Sequence, residues 1–300
     1  MKAKKVRTIS LSTRRDKHFG SRGSQSGLSR SSAKTNCANN SWEGEHVRGN
    51  PRFPLTHPKK HLGQNFLNNK LTLQKIITAA DLTDRDHIIE VGPGKGFLTK
   101  KLLEKAKKVT AIEKDSDLIP ILEEKFPKLN LIHEDALTFK PPKKYKLVAN
   151  IPYYITSPLI NHFLKNQKNK PELMVLMVQK EVATKALAKP GDLSVLALNI
   201  QTFAEVKKVT RVPASHFSPK PKVDSAVIKI TPYKKPLVPD KLLPAYFQLI
   251  SDAFSQKRKM IRSTLPKEII EKTGIDPTSR PQELTIENWK ELAQAAKSHL

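Results

Sequence analysis

Glu90-Val-Gly92-Pro-Gly94-Lys-Gly96 decides how this chain is read. It follows the short apolar run His87–Val91 and precedes the helical pattern Phe97–Lys105. Three glycines at alternate positions take every β-carbon out of one tight turn. A ligand can then approach the backbone, and the free N–H groups at the helix start face it. The spacing is not the Gly-x4-Gly-Lys-Ser/Thr of a P-loop, which argues against nucleotide triphosphate hydrolysis. It also departs from the dinucleotide fingerprint Gly-x-Gly-x-x-Gly, because the third glycine comes one residue early. Taken alone, the run also suits an ordinary glycine-rich turn between a strand and a helix.

On either side of this loop, helical and strand-like segments alternate. Leu71–Ala80, Phe97–Lys105, Leu118–Phe126 and Pro158–Lys165 have helical spacing. His87–Val91, Val109–Ile112, Leu129–His133, Leu147–Ala149 and Leu173–Val178 are short apolar runs typical of buried strands. This order predicts an α/β fold with a parallel, doubly wound, Rossmann-like sheet that binds its ligand at the carboxyl ends of the strands. Val206–Val212 and Ser225–Thr231 are expected to close the sheet with an antiparallel edge. Beyond Pro236 the pattern turns helical, at Leu243–Lys257, Lys267–Lys272 and Ile286–Lys297. Three segments are expected: a disordered basic tail over 1–55, a sheet domain over 56–236, and a small all-α domain over 237–300.

The loop has companions at the neighbouring strand ends. Glu113 ends the next strand, 21 residues after Gly92, where an acid can accept both hydroxyls of a ribose. Asp135 follows the third strand, where a carboxylate can take an amine of an adenine. Each acid by itself also suits a solvated strand end. Glycine turn, ribose acid and adenine acid in register read as a site for a nucleoside cofactor without a pyrophosphate. The glycine spacing and the acid before it resemble the class I S-adenosylmethionine (SAM) methyltransferases.

Asn150-Ile151-Pro152-Tyr153 closes the fourth strand and resembles the Asn/Asp-Pro-Pro-Tyr group of amino-methyltransferases. An exocyclic base amine is a poor nucleophile because its lone pair is conjugated with the ring. Two acceptors aimed at its N–H bonds pull it towards sp³ geometry and stabilise the developing positive charge. The Asn150 side-chain oxygen suits one of these roles. The Ile151 carbonyl, stiffened by Pro152, suits the other. Tyr153 offers a face for an extruded base. In Phe217-Ser-Pro219-Lys220-Pro221-Lys222-Val223, prolines stiffen a loop whose aromatic can form the opposite wall of a base sandwich. Lys220 and Lys222 can meet phosphates. The same stretch also suits a plain proline-stiffened hairpin loop.

Composition narrows the partner. The chain has 300 residues, with 54 Lys+Arg against 28 Asp+Glu, a formal charge of +26. Residues 1–60 hold 14 basic and 3 acidic residues, so the surplus in the remaining chain is 40 against 25. The folded part is basic in its own right, which points to a polyanion such as nucleic acid. Lys257-Arg258-Lys259 adds a basic cluster in the helical tail. No run reaches the ~20 apolar residues that cross a bilayer. The single cysteine, Cys37, excludes an internal disulfide framework and a cysteine-only metal cluster, and no metal is expected. The Ser- and Arg-rich residues 1–50 suit a transit peptide, a basic RNA-binding arm or an over-extended start.

The ordered motifs resemble one family over residues 60–300. They are His61-Leu-Gly-Gln-Asn-Phe-Leu67, Glu90–Gly96, Ile112-Glu-Lys-Asp115, Glu134-Asp-Ala-Leu137, Asn150–Tyr153, Val178-Gln-Lys-Glu181, Leu193-Ser-Val195, Phe217–Ala226, Ala253–Lys259, Gly274-Ile-Asp-Pro277 and Arg280-Pro281. The string closely resembles the KsgA-type small-subunit rRNA adenine dimethyltransferases. The resemblance implies SAM-dependent N6,N6-dimethylation of two adjacent adenosines near the 3′ end of small-subunit rRNA, leaving S-adenosylhomocysteine. It implies that Asn65 and Leu67 contact the cofactor from the N-terminal segment, with Gly92, Gly94 and Gly96 beside it. Glu113 would hold the ribose, Asp135 and Ala136 the adenine, and Asn150 would face the methyl and the acceptor amine. The expected partner is an immature small ribosomal subunit, met by a monomer in the cytoplasm, or in a mitochondrion or plastid if the tail is a transit peptide. The stretch before the family start and the short loop between Ala186 and Leu193 depart from the pattern. Two alternatives remain: the related Erm class, which dimethylates a large-subunit adenine, and a non-catalytic nucleic-acid binder of the same fold. Val223-Asp-Ser-Ala226 and the Gly274–Pro277 tail favour the KsgA type.

Overall fold

A computed structural model describes residues 58–59, 63–166 and 168–298, all within one compact unit, Pro51–Leu300. The basic tail over 1–55 lies outside the described residues.

The sheet takes the predicted form. Its seven strands are β2 (His87–Val91), β3 (Lys108–Glu113), β4 (Asn130–His133), β5 (Lys146–Asn150), β6 (Leu173–Gln179), β7 (Ala204–Val212) and β9 (Ser225–Pro232), in the order β4-β3-β2-β5-β6-β9-β7. β4, β3, β2, β5 and β6 are parallel, and β9 pairs antiparallel with both β6 and β7. The strand order reverses between β2 and β5, so the crevice above their carboxyl ends is the switch point where such sheets bind ligands. β5 and β6 read as unbroken apolar runs because helices cover both sheet faces. One buried cluster gathers Ile89, Leu147, Met174, Leu176 and Ile228. Another, on the opposite face by strand alternation, gathers Ile88, Val148, Val175 and Val227.

Local chemistry sets the helix ends. In α1 (Lys70–Ala80), the Asn69 side chain accepts from the Thr72 N–H at 2.8 Å. In α2 (Phe97–Lys105) the N-cap is Gly96, with φ of +79°. α3 is Ile119–Lys125. The single helix expected over Pro158–Lys165 is instead two pieces, α4 (Thr156–Asn161) and a π turn at His162–Asn166, and a 3₁₀ turn at Tyr153–Ile155 precedes them. α5 (Lys180–Ala186) and α6 (Val195–Gln201) lie where no element is predicted. Each has only seven residues, too few for a hydrophobic period to show.

Beyond Pro236 come α7 (Leu243–Ser255), α8 (Lys267–Glu271) and α9 (Ile286–Lys297). Their core, around Tyr246, Leu249, Ile261 and Trp289, also takes Leu193, Ala197 and Leu198 from the α6 region. The junction is hydrogen-bonded as well. Gln282 O accepts from Gly191 N at 3.0 Å and Leu193 N at 3.2 Å, and the Thr202 hydroxyl meets Tyr246 Oη at 2.9 Å.

Candidate functional site

The turn after β2 lies across the crevice from the end of β5. Gly92 has φ of +68° and its N–H donates to Ile112 O at 2.9 Å, which ties the loop to β3. A β-carbon on Gly92 would lie 3.9 Å from Asn150 O and 4.0 Å from Pro152 Cδ. The first glycine therefore opens towards Asn150–Tyr153. The other two accommodate the protein's own rings: a β-carbon on Gly94 would sit 2.9 Å from Phe66 Cε1, and one on Gly96 2.1 Å from Phe126 Cε2.

The acids sit at successive strand ends. Glu113 is buried and accepts from Lys114 N and Asp115 N, each at 2.9 Å, and from Gly94 N at 3.3 Å. Burial raises its pKa and these backbone donors offset part of the rise. Asp135 accepts from Leu137 N at 2.9 Å and from Lys114 Nζ at 2.8 Å, and the lysine holds its pKa below the ordinary value. Ala136 beside it is buried. Glu90 is buried with Oε2 lacking a partner, and burial pushes its pKa up to about 8. The Thr99 hydroxyl lowers that value a little but makes no well-formed hydrogen bond.

On the acceptor side, Asn150 Nδ2 donates to the Asn65 carbonyl at 3.1 Å. That bond sets the amide orientation and leaves Oδ1 as the end available to an incoming donor. The Asn65 side chain in turn donates to Gly63 O at 3.2 Å. Ile151 is buried, with its N–H on Met177 O at 3.3 Å. Tyr153 is half-buried and its hydroxyl meets Ser225 Oγ at 2.7 Å.

The N-terminal segment binds these two sides together. Lys59 Nζ reaches Asp115 at 2.6 Å and Asp117 at 2.7 Å, and Gln64 Nε2 donates to Asp115 at 2.7 Å. β1 (Phe66–Leu67) then pairs antiparallel with β8 (Phe217–Ser218). Leu67 is buried, so its contribution to the crevice is mainly through its backbone. Sequence patterns do not reveal Lys59, Gln64, Asp115 or Ser225 as site residues. Their partners are 51 to 72 positions away, beyond any local period. Gln64, Asp115 and Ser225 are hinted at only by their places inside the family motifs, and Lys59 lies outside them.

Phe217 departs from its expected role. It is 4% exposed and packs with Leu67, Val212 and Val227, so the ring serves the core and shows almost no face to a base. Lys220 and Lys222 are exposed on the loop beyond it. Lys257, Arg258 and Lys259 are exposed on the turn after α7. Tyr154, absent from the predicted set, is the aromatic that stands 55% exposed, next to Gly63.

The donor set suits SAM. That molecule offers an ammonium, ribose hydroxyls and an adenine amine. The crevice offers the Glu113 carboxylate and the Asp135 carboxylate, at the successive ends of β3 and β4. Gly92 leaves the room that a β-carbon would fill.

Comparison with known proteins agrees with this geometry. Residues 56–298 match the family described as ribosomal RNA adenine dimethylase. A Dehalococcoides mccartyi protein named ribosomal RNA small subunit methyltransferase A is 42% identical over 253 residues, covering 78% of this chain and 87% of the relative. A Clostridium perfringens protein of the same name is 40% identical over 261 residues, covering 80% and 91%. Among solved structures, a dimethyladenosine transferase from Plasmodium falciparum aligns with a TM-score of 0.69 at 30% identity, covering 78% of this chain and 98% of that one. The 23S rRNA methyltransferase ErmE aligns with a TM-score of 0.65 at 28% identity, covering 78% and 100%. With the motifs in order, the strand ends in register and the match running through the helical tail, this chain belongs to the ribosomal RNA adenine dimethylase family.

Proposed function

We propose that this protein transfers methyl groups from SAM to the N6 amines of two adjacent adenosines near the 3′ end of small-subunit rRNA, yielding N6,N6-dimethyladenosines and S-adenosylhomocysteine. The observation that carries this reading is the Asn150 amide, whose Nδ2 is engaged by Asn65 O across from Gly92. Oδ1 is then the acceptor for one N–H of the target amine, and the Ile151 carbonyl accepts the other. Both become stronger partners as positive charge builds on the nitrogen. When bound, SAM supplies an electrophilic methyl, and no metal is needed for its transfer. Glu113 binds the ribose, Asp135 the adenine, and Tyr153 stacks on the extruded base. No strong base is required, because a methylated ammonium loses its proton readily to water. The site works chiefly by positioning.

The partner in this reading is an immature small ribosomal subunit, engaged by a monomer through phosphates and RNA shape. The bacterial relatives named for small-subunit methylation support that substrate and a cytoplasmic setting. Among the described residues no helix is long and apolar enough to cross a membrane.

The test is transfer from labelled SAM to undermethylated small subunits, with large subunits in parallel and mass spectrometry of the digested RNA. Dimethyladenosine at two adjacent small-subunit positions is expected. Asn150→Ala should lower turnover by about 10²- to 10³-fold, the loss typical of a removed transition-state hydrogen-bond partner, with SAM binding mostly intact. Product confined to large-subunit RNA would move the assignment to the ErmE-like activity. Unchanged turnover in the variant would remove Asn150 from its role.

A further inference from the structure

Ser225 has a hydroxyl that the reaction as proposed does not use. It opens β9, is fully buried, and its backbone is paired on both sides, with Gln179 of β6 and Val212 of β7. The residue before it is clamped as well. The Asp224 carboxylate accepts from Arg211 Nε at 2.9 Å, Arg211 Nη2 at 2.5 Å and Ala214 N at 3.0 Å, and its backbone carbonyl accepts from Lys180 N at 2.9 Å. The Ser225 backbone is therefore held on both sides, and only its first side-chain torsion remains to place Oγ. It meets Tyr153 Oη at 2.7 Å.

Tyr153 has less support of its own. It begins a three-residue 3₁₀ turn after Pro152, and its ring is half-buried. A tyrosine ring swings about its first side-chain torsion, and a hydrogen bond at its far end fixes that swing by pinning the tip of the ring. Phe217, the aromatic expected to form the second wall, is committed to the core. The orientation of the Tyr153 ring thus matters more than it would in a two-walled sandwich.

We propose that Ser225 is a positioning residue for methyl transfer: its hydroxyl pins the tip of the Tyr153 ring and so fixes where the ring projects to receive the target adenine. This rests on the reading of Tyr153 as the base platform. The lock acts through Tyr153 alone, so removing either end of the hydrogen bond should have the same consequence.

The test uses the full chain and the ribosomal subunit that the wild-type protein methylates, with Ser225→Ala, Tyr153→Phe, the double variant, Ser225→Thr and Tyr153→Ala. Turnover, SAM affinity and thermal midpoint are measured for each. Ser225→Ala and Tyr153→Phe should each lower kcat about tenfold, in line with the cost of a slightly misplaced reactant. The double variant should lose no more than either single one, the signature of one shared interaction. Ser225→Thr, which keeps the hydroxyl, should recover most of the rate. SAM affinity should not change, whereas a merely structural role would show as a lowered midpoint with kcat unaffected at low temperature. Unchanged kcat in Ser225→Ala, or losses that multiply in the double variant, would overturn the lock. Tyr153→Ala separates the two ideas. If it loses activity while Ser225→Ala does not, only the lock fails. If Tyr153→Ala is fully active, or the wild-type protein methylates neither subunit, the platform reading fails and takes the lock with it.

Discussion

Glu90 is the residue whose position sets the sharpest pH signature. It is fully buried without a partner for Oε2, so it keeps its proton up to about pH 8. The unfolded chain releases that proton near the ordinary 4.5. Between those values the native state binds more protons than the unfolded one, so stability falls as pH rises through the window. Glu90→Gln keeps the shape and removes the titration. The variant should match the wild type at about pH 4.5 and exceed it by a few kcal/mol above pH 8, at about 1.4 kcal/mol per pK unit. Urea midpoints at several pH values check this, and parallel curves for both proteins would refute it. The Gly92 turn, Glu113, Asp135 and Asn150 come near one another because each stands at or just past a strand end, and strand ends in a parallel sheet are adjacent by construction. Phe217 shows the limit. A side chain beside two prolines looks like a loop aromatic, but β1 pairs with its strand and carries it into the core.

Among the elements, Lys59 and the stretch Gly63–Leu67 do work their length does not suggest. Lys59 and Gln64 fasten it to Asp115, Phe66 fills the hollow at Gly94, and Asn65 O orients Asn150. It links the cofactor turn to the acceptor amide. Lys59→Ala should loosen the stretch Gly63–Leu67, speed amide exchange at Phe66 and Leu67, and weaken SAM binding by about fivefold at low salt, near the upper end for an ion pair that solvent reaches from the lysine side. The difference should shrink at high ionic strength. Calorimetric titration at two salt concentrations measures it, and equal affinities at low salt would mean that the segment holds without Lys59. Long elements with a full hydrophobic period, such as α1, α2 and β2 to β6, are readable from sequence alone. The short α5 and α6 and the three-part stretch from Tyr153 to Asn166 are not, since local propensity there is weak and tertiary contacts choose the backbone.

For the molecule as a whole, charge and substrate size go together. A surplus of +26 suits a partner met through many phosphates. Replacing Lys257, Arg258 and Lys259 together with Ala should reduce the slope of log affinity against log salt for subunit binding by up to about 2 to 3. The exposed turn after α7 carries no core contact from these side chains, so the fold should survive. An unchanged slope would remove them from the RNA footprint. The helices beyond α7 are not an appendage, because Leu193, Ala197 and Leu198 complete their core. Alternating hydrophobic periods were enough to establish the parallel sheet with its antiparallel edge, and they placed Glu113, Asp135 and Asn150 at neighbouring strand ends, since both follow from short-range geometry. Folding settled the rest: the strap made by Lys59 and Gly63–Leu67, the orientation of Asn150, the burial of Phe217 and the Tyr153–Ser225 bond. Each of these joins residues dozens of positions apart, and a contact made across that distance depends on how the elements pack, which no local pattern encodes.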